Sequence, residues 1–213
     1  MTLYVLIACE ESQVECQAFR KLGAIAYSCD IQRCARGANP DWHICADVRP
    51  FLKGCTSFCT QSGALVKVPR WDLIIAHPPC TYMCKVSGPI MVRHGVVDSW
   101  RFHQMCLGRQ FFFECLDAQA KYVAVENPLP MARVKLPQPS CYACPSWFGD
   151  KYTKKTLYWL RNLPPLMARL INPNTKSLAH CTRSKYRSRT SVYLANALAR
   201  QWFDFIMKEE EGV

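Results

Sequence analysis

The chain has 213 residues, half of them hydrophobic, and carries a formal charge of +11 from 27 Lys and Arg against 16 Asp and Glu. That balance excludes a disordered chain and a long membrane-spanning segment, and the length suits one domain with room for a core. The first residues enter a strand-like TLYVLIA with no basic region ahead of it, so the sequence predicts no secretory signal and a cytoplasmic protein.

Fourteen cysteines are scattered through strand- and helix-like segments. Without a secretion signal they read as reduced, core-filling residues rather than a disulfide framework. The charge is unevenly placed. Residues 129–190 hold twelve Lys or Arg against one acid, Asp150, and the remainder holds fifteen of each sign. A neutral scaffold with one basic segment is the electrostatic footprint of a polyanion-binding face, for nucleic acid or nucleotide. The plainer reading is a surface kept basic for solubility.

In chain order, residues 3–8 read as a strand. A helix follows from Ser12 or Gln13 to Leu22, with Val14, Ala18, Phe19 and Leu22 near helical spacing and Gly23 as its stop. Residues 24–29 form a second strand ending in Asp30, and residues 43–46 a third ending in Asp47. Residues 49–70 are partly helical at best. Residues 72–76 are a short apolar run, a fourth strand stopped by His77-Pro78-Pro79, since successive prolines cannot donate to a ladder. Asp98 or Ser99 can cap a helix to about Gln119, with Leu107, Phe111, Phe112, Phe113 and Leu116 expected to be buried. Residues 122–125 are a fifth strand ending in Glu126-Asn127-Pro128. Residues 129–174 are proline-rich and basic, with only residues 155–160 strand-like. A last helix spans about residues 191–207, with Leu194, Leu198, Trp202 and Phe205 on one face, before a frayed EEEGV end. The alternation favours one α/β domain with a central, mostly parallel sheet covered by helices.

In such a sheet the loops after the strands open onto one crevice. Glu10, Glu11, Asp30, Asp47 and Glu126 all stand there, and so does Cys80, just past the Pro-Pro. A thiol on that stiff turn is a candidate nucleophile, or else one more buried structural cysteine. An acid after the second strand suits a ribose diol. Arg187 and Arg189 are two apart, so in an extended run both guanidiniums can meet one anion. Cys141 and Cys144 have zinc-type spacing, which His180 and Cys181 could complete, although that second pair is adjacent. Cys80 and Cys84 are a weaker pair, because the Pro-Pro turn argues against regular structure there. No metal site is expected.

Taken together, Pro78-Pro79-Cys80, Glu126-Asn127 and Lys185-Tyr186-Arg187-Ser188-Arg189 resemble, in order, the motifs of the DNA cytosine carbon-5 methyltransferases. ACEESQ, YSCDIQ, WDLIIAHPPCTY, VENP and YTKKTLYWL together resemble a group of compact methylase-like proteins common in bacteriophages. The resemblance implies a Rossmann-like methyltransferase fold and S-adenosylmethionine as cofactor. It implies that Ala8, Cys9, Glu10, Glu11, Ser12, Asp30, Ile31, Asp47, Val48 and Pro78 bind that cofactor, with Asp30 on the ribose and Asp47 near the adenine. Cys80 is then the nucleophile, with its pKa lowered by the basic run that ends at Arg189. Glu126 holds the pyrimidine, and Arg187 and Arg189 hold the base or its phosphate. Two departures stand out. The loop after the first strand has no glycine, and residues 129–190 are a basic substrate-binding segment in place of a full target-recognition domain. The partner implied is DNA or a pyrimidine nucleotide, in a bacterial host if the gene is a phage's. Two other readings are pyrimidine chemistry on a free nucleotide or with another one-carbon donor, and a nucleic-acid-binding relative without activity.

Overall fold

The structure is a computed structural model and describes residues 1–93, 95–177 and 189–212. Its centre is one seven-stranded sheet. The strands are β1 (Tyr4–Ala8), β2 (Ile25–Asp30), β3 (His43–Cys45), β4 (Leu73–Ala76), β5 (Tyr122–Pro128), β6 (Cys141–Ala143) and β7 (Thr156–Arg161). Their spatial order is β6-β7-β5-β4-β1-β2-β3. From β3 to β5 every pair is parallel; β7 runs antiparallel to β5, and β6 antiparallel to β7. This mostly parallel sheet flanked by helices is the expected α/β, Rossmann-like architecture.

The central strands are buried on both faces, which is why they read as continuous apolar runs. Alternation assigns each side chain to a face. Leu6, Ile74, Val123 and Val125 pack with Phe112, Met105 and Cys115 of helix α2 (Ser99–Leu116). Val5, Ile7, Leu73, Ile75, Tyr122 and Ala124 pack on the other face with Phe19 of helix α1 (Val14–Lys21) and with Leu194, Leu198 and Trp202 of helix α3 (Val192–Glu211). Trp202 is fully buried and its indole N–H donates to the Pro164 carbonyl at 3.1 Å; truncating such a residue to alanine costs about 3–5 kcal/mol.

Several expectations need correction. The segment between β3 and β4 holds a helical turn, Arg49–Leu52, and a hairpin pairing Ser57–Cys59 with Leu65–Lys67. Two strands of the basic segment, β6 and β7, belong to the central sheet. The C-terminal glutamates are helical, because Glu210 binds the Lys121 ammonium at 2.6 Å and the Tyr122 hydroxyl at 3.4 Å. Leu107 is exposed, and of the α2 aromatic run only Phe112 is fully buried. None of the thirteen cysteines among the described residues forms a disulfide, but only Cys16, Cys29 and Cys115 are buried. Among the described residues no helix is long and apolar enough to cross a membrane.

Candidate active site

The carboxyl ends of the five parallel strands share one edge of the sheet. Ile75 and Ala124 are register partners on the α1 side, so two residues on, His77 and Glu126 face the same way. His77 Nδ1 lies 3.2 Å from Glu126 Oε2. Its Nε2 lies 3.0 Å from Oε2 of Glu15, in the first turn of α1. Only an imidazolium donates to a carboxylate on both sides. The side chains are 13% exposed for His77, 14% for Glu126 and 0% for Glu15. Burial opposes the charge on His77, but the two carboxylates outweigh it and hold the ring well above the usual histidine range. Burial likewise works against an ionised Glu126, yet the His77 hydrogen bond and Lys154 keep it below the usual carboxylate range. Glu126 Oε1 and Glu15 Oε1 are buried with no partner.

Cys80 begins one helical turn: its carbonyl accepts from the N–H groups of Met83 at 2.9 Å and Cys84 at 3.0 Å. Backbone bonds between Lys85 and Leu129 and between Met131 and Met83 tie this turn to the chain leaving β5. No regular element starts after the Pro-Pro, as expected, but this single turn still brings Cys80 and Cys84 together, and they hydrogen-bond through their thiols. That bond, then burial, then Glu126 push the Cys80 thiol above the ordinary cysteine range, and Lys154 pulls the other way. The expected lowering by the basic run is therefore not what the described residues do. Arg187 lies outside the described residues, as do Lys185, Tyr186, Ser188, His180 and Cys181. Among the described residues no group of His, Cys, Asp or Glu could hold a metal ion.

Beside Glu126 is a cavity of about 480 Å³, whose wall includes Lys154, Tyr158, Arg189 and Ser191. Tyr158 is the register partner of Glu126 and is fully buried, with no partner for its hydroxyl. Arg189 reaches Glu11 at 3.8 Å, and its Nε is buried and unpartnered.

The loop after β1 takes a strained course. Cys9 has φ 62° and Gln13 φ 60°, left-handed conformations that glycine adopts more easily. Gln13 is fixed by its side chain, which donates to the Asn39 carbonyl at 2.9 Å and accepts the Asn39 N–H at 2.8 Å. Ala8 is buried and Ser12 donates to Glu10 at 3.3 Å. Both Glu10 oxygens are occupied at the start of α1, on the N–H groups of Glu15 at 2.8 Å and Cys16 at 3.3 Å, so this expected cofactor ligand serves as a helix cap. The Cys9 thiol is pushed up to about 12, by burial first and then by Asp30 and Asp47, which shows both acids close to this loop. Asp30 Oδ1 accepts the Gln32 N–H at 2.8 Å. Ile31 beside it is 78% exposed. Asp47 is held by the Arg49 N–H at 3.0 Å and its guanidinium at 3.2 Å. Val48 is buried in the core and Pro78 is buried beneath the turn.

Sequence reasoning named Cys80, Glu126 and Arg189: Glu126 and Arg189 line the cavity, and Cys80 stands on the turn after β4, close enough for Glu126 to act on its thiol. It missed His77, Glu15 and Lys154. The signal for His77 was its place two residues after Ile75 in a strand of period two. Lys154 stood in the quoted run YTKKTLYWL without a role.

No family model matches the chain, and no curated protein does. Among solved structures, it is similar to a proposed DNA modification methyltransferase encoded within an E. coli prophage, with a TM-score of 0.46 and 16% sequence identity over 82% of this chain. The match covers 53% of that chain, so the protein spans about half its length.

Proposed function

We propose that this protein is an S-adenosylmethionine-dependent methyltransferase acting on carbon 5 of cytosine in DNA, with Cys80 as nucleophile. The observation that carries this reading is the juxtaposition of a half-buried thiol on a Pro-Pro turn with the Glu126 carboxylate, beside a cavity of about 480 Å³. Such a volume suits one nucleotide.

The residues at the β1–β3 ends fit the cofactor. Asp30 has its Oδ2 left for a ribose diol, and the exposed Ile31 offers an apolar surface to an adenine. Asp47 can accept at its remaining lone pairs. Val48 and Pro78, being buried, serve through backbone and packing. When bound, S-adenosylmethionine supplies an electrophilic methyl group on a sulfonium.

The chain's own residues account for the rest. Cys80 rests as a thiol, and Lys154 favours its thiolate. The thiolate sulfur adds to carbon 6 of the cytosine, and the displaced ring electrons make carbon 5 nucleophilic. Once carbon 5 is methylated, a base from solvent takes its proton, the electron pair of that carbon–hydrogen bond restores the carbon 5–carbon 6 double bond, and the carbon–sulfur bond breaks to release Cys80 as thiolate. Glu126 accepts from the amino edge of the ring while charge shifts across it. Arg189 holds the base carbonyl or its phosphate. In a duplex the cytosine must first leave the stack.

Methyl transfer from labelled S-adenosylmethionine to a cytosine oligonucleotide is expected of the parent and not of Cys80→Ser. An oligonucleotide with 5-fluorocytosine should be trapped on Cys80, because fluorine cannot leave as a proton does. An adduct on another residue, or an active serine variant, overturns the proposal. Equal activity on free cytidine monophosphate would move the substrate to a nucleotide.

A further inference from the structure

Glu126 does not stand alone at the cavity. Three side chains from three elements form a row, Glu15 fully buried and the other two largely so: Glu15 from α1, His77 from the turn after β4 and Glu126 from β5. A cytosine-binding carboxylate needs no such row merely to exist, since Lys154 already supplies an opposite charge. The row has a specific geometric effect. With Glu126 Oε2 on His77 Nδ1, the carboxylate cannot turn freely, and Oε1 is left buried and unpartnered in a residue that lines the cavity.

We infer that His77, clamped between Glu15 and Glu126, is a positioning residue that fixes Glu126 as a pure acceptor and makes the pocket select a pyrimidine with an amino donor at ring carbon 4. The inference rests on the proposed function and adds the origin of its base selectivity. An ionised carboxylate only accepts, so the Oε1 position is satisfied by the exocyclic amino group of cytosine. It opposes the carbonyl that uracil or thymine presents at the same ring position. A buried acceptor facing an acceptor leaves both unpaired, which is the stronger form of discrimination. Glu15 acts at one remove, by holding the far nitrogen of the ring.

The groups facing this row are few among the described residues. Glu10 acts on His77 from the loop after β1. Lys154 acts on Glu126 from the chain entering β7, and Tyr158 on β7 faces Glu15 and Glu126. Cys80 faces Glu126 from the turn after β4. Lowering the pH protonates Glu126 and converts it to a donor that tolerates a carbonyl. With His77 in place that conversion is displaced to low pH; without it, burial of the carboxyl brings the conversion toward neutrality.

The test compares binding of two oligonucleotides, identical except for cytosine or uracil at one position, to the parent and to His77→Gln by fluorescence anisotropy. The parent should prefer cytosine by about tenfold or more, evenly from about pH 5 to pH 8. The variant should lose most of that preference, increasingly as the pH falls, while uracil binding changes little. A merely structural role would weaken both oligonucleotides alike and leave the ratio unchanged, and that result overturns the inference, as does a parent with no preference. Should His77→Gln fail to fold, Glu15→Gln keeps the His77–Glu126 contact and should show the same drift with pH in weaker form; an unchanged ratio at every pH overturns the inference equally. Methyl transfer by the parent, measured alongside, separates this outcome from failure of the proposed function.

Discussion

A thiol that is to attack carbon must first lose its proton, and the surroundings of Cys80 resist that. The largest cause is the hydrogen bond with Cys84, followed by burial and Glu126, while Lys154 opposes them. The two neighbours can therefore be separated by substitution. Cys84→Ala should raise the thiolate fraction of Cys80, and Lys154→Gln should lower it, each on the order of tenfold at fixed pH near neutrality. Iodoacetamide labelling followed by peptide mass spectrometry reads the Cys80 rate apart from the other cysteines. Rates unchanged in both variants, or moved in the opposite directions, would remove these two residues from the control of the nucleophile. Cys80 and Glu126 were legible in the sequence because their chemistry and their strand-end positions coincide. His77 and Glu15 were not, because their roles exist only through contacts between residues 62 and 49 positions apart. A histidine before two prolines reads as a strand stop, and a glutamate in a helix reads as solvated until the helix packs.

At the scale of elements, the start of α1 is built around a buried acid. The Glu10 carboxyl is pushed up to about 7, by burial first and then by Glu15, against the pull of the Glu15 and Cys16 N–H groups and His77. An ordinary glutamate titrates at 4.5. The folded state thus binds this proton more tightly than the unfolded chain. Its contribution to stability is full below about 4.5 and is lost as the pH rises from about 4.5 to about 7. Glu10→Gln imitates the protonated form, apart from a pH-independent cost where its amide faces the Cys16 N–H. Relative to the parent, the variant should gain stability across that window and level off above it. Urea denaturation at a series of pH values checks this, and a flat or falling difference would mean that Glu10 ionises normally in the fold. The elements around this helix were legible where their runs were long and apolar, as in β1, β4 and β5. The strand β6, Cys141–Ala143, was not: three residues between prolines carry no periodic signal, and only pairing with β7 makes them a strand. The C-terminal glutamates were misread because Lys121, far away in sequence, holds the helix end.

At the scale of the whole molecule, the excess charge of +11 falls in residues 129–190, and the fold shows that it is not all available to a partner. Arg161 donates to the carbonyls of Leu116, Ala118 and Ala120, closing the end of α2. Arg189 is drawn to Glu11. Lys154 faces Glu126 and Cys80 in the candidate site, whereas Lys151, Arg169 and Lys176 are exposed. If the basic segment binds the phosphates of DNA, affinity must fall with salt as counterions are released, with a slope close to the number of phosphates met. That slope should be smaller than the formal charge of the segment, because Arg161 is committed to the fold. Lys151→Gln, Arg169→Gln and Lys176→Gln should each reduce the slope by about one where the residue meets a phosphate, and should weaken different sequences alike. Arg161→Gln should instead lower thermal stability and leave the slope alone. Fluorescence anisotropy of a labelled oligonucleotide over a range of salt concentrations provides both numbers. Affinity that ignores salt would take the basic segment out of substrate binding and leave the cavity beside Glu126 to recognise a small molecule.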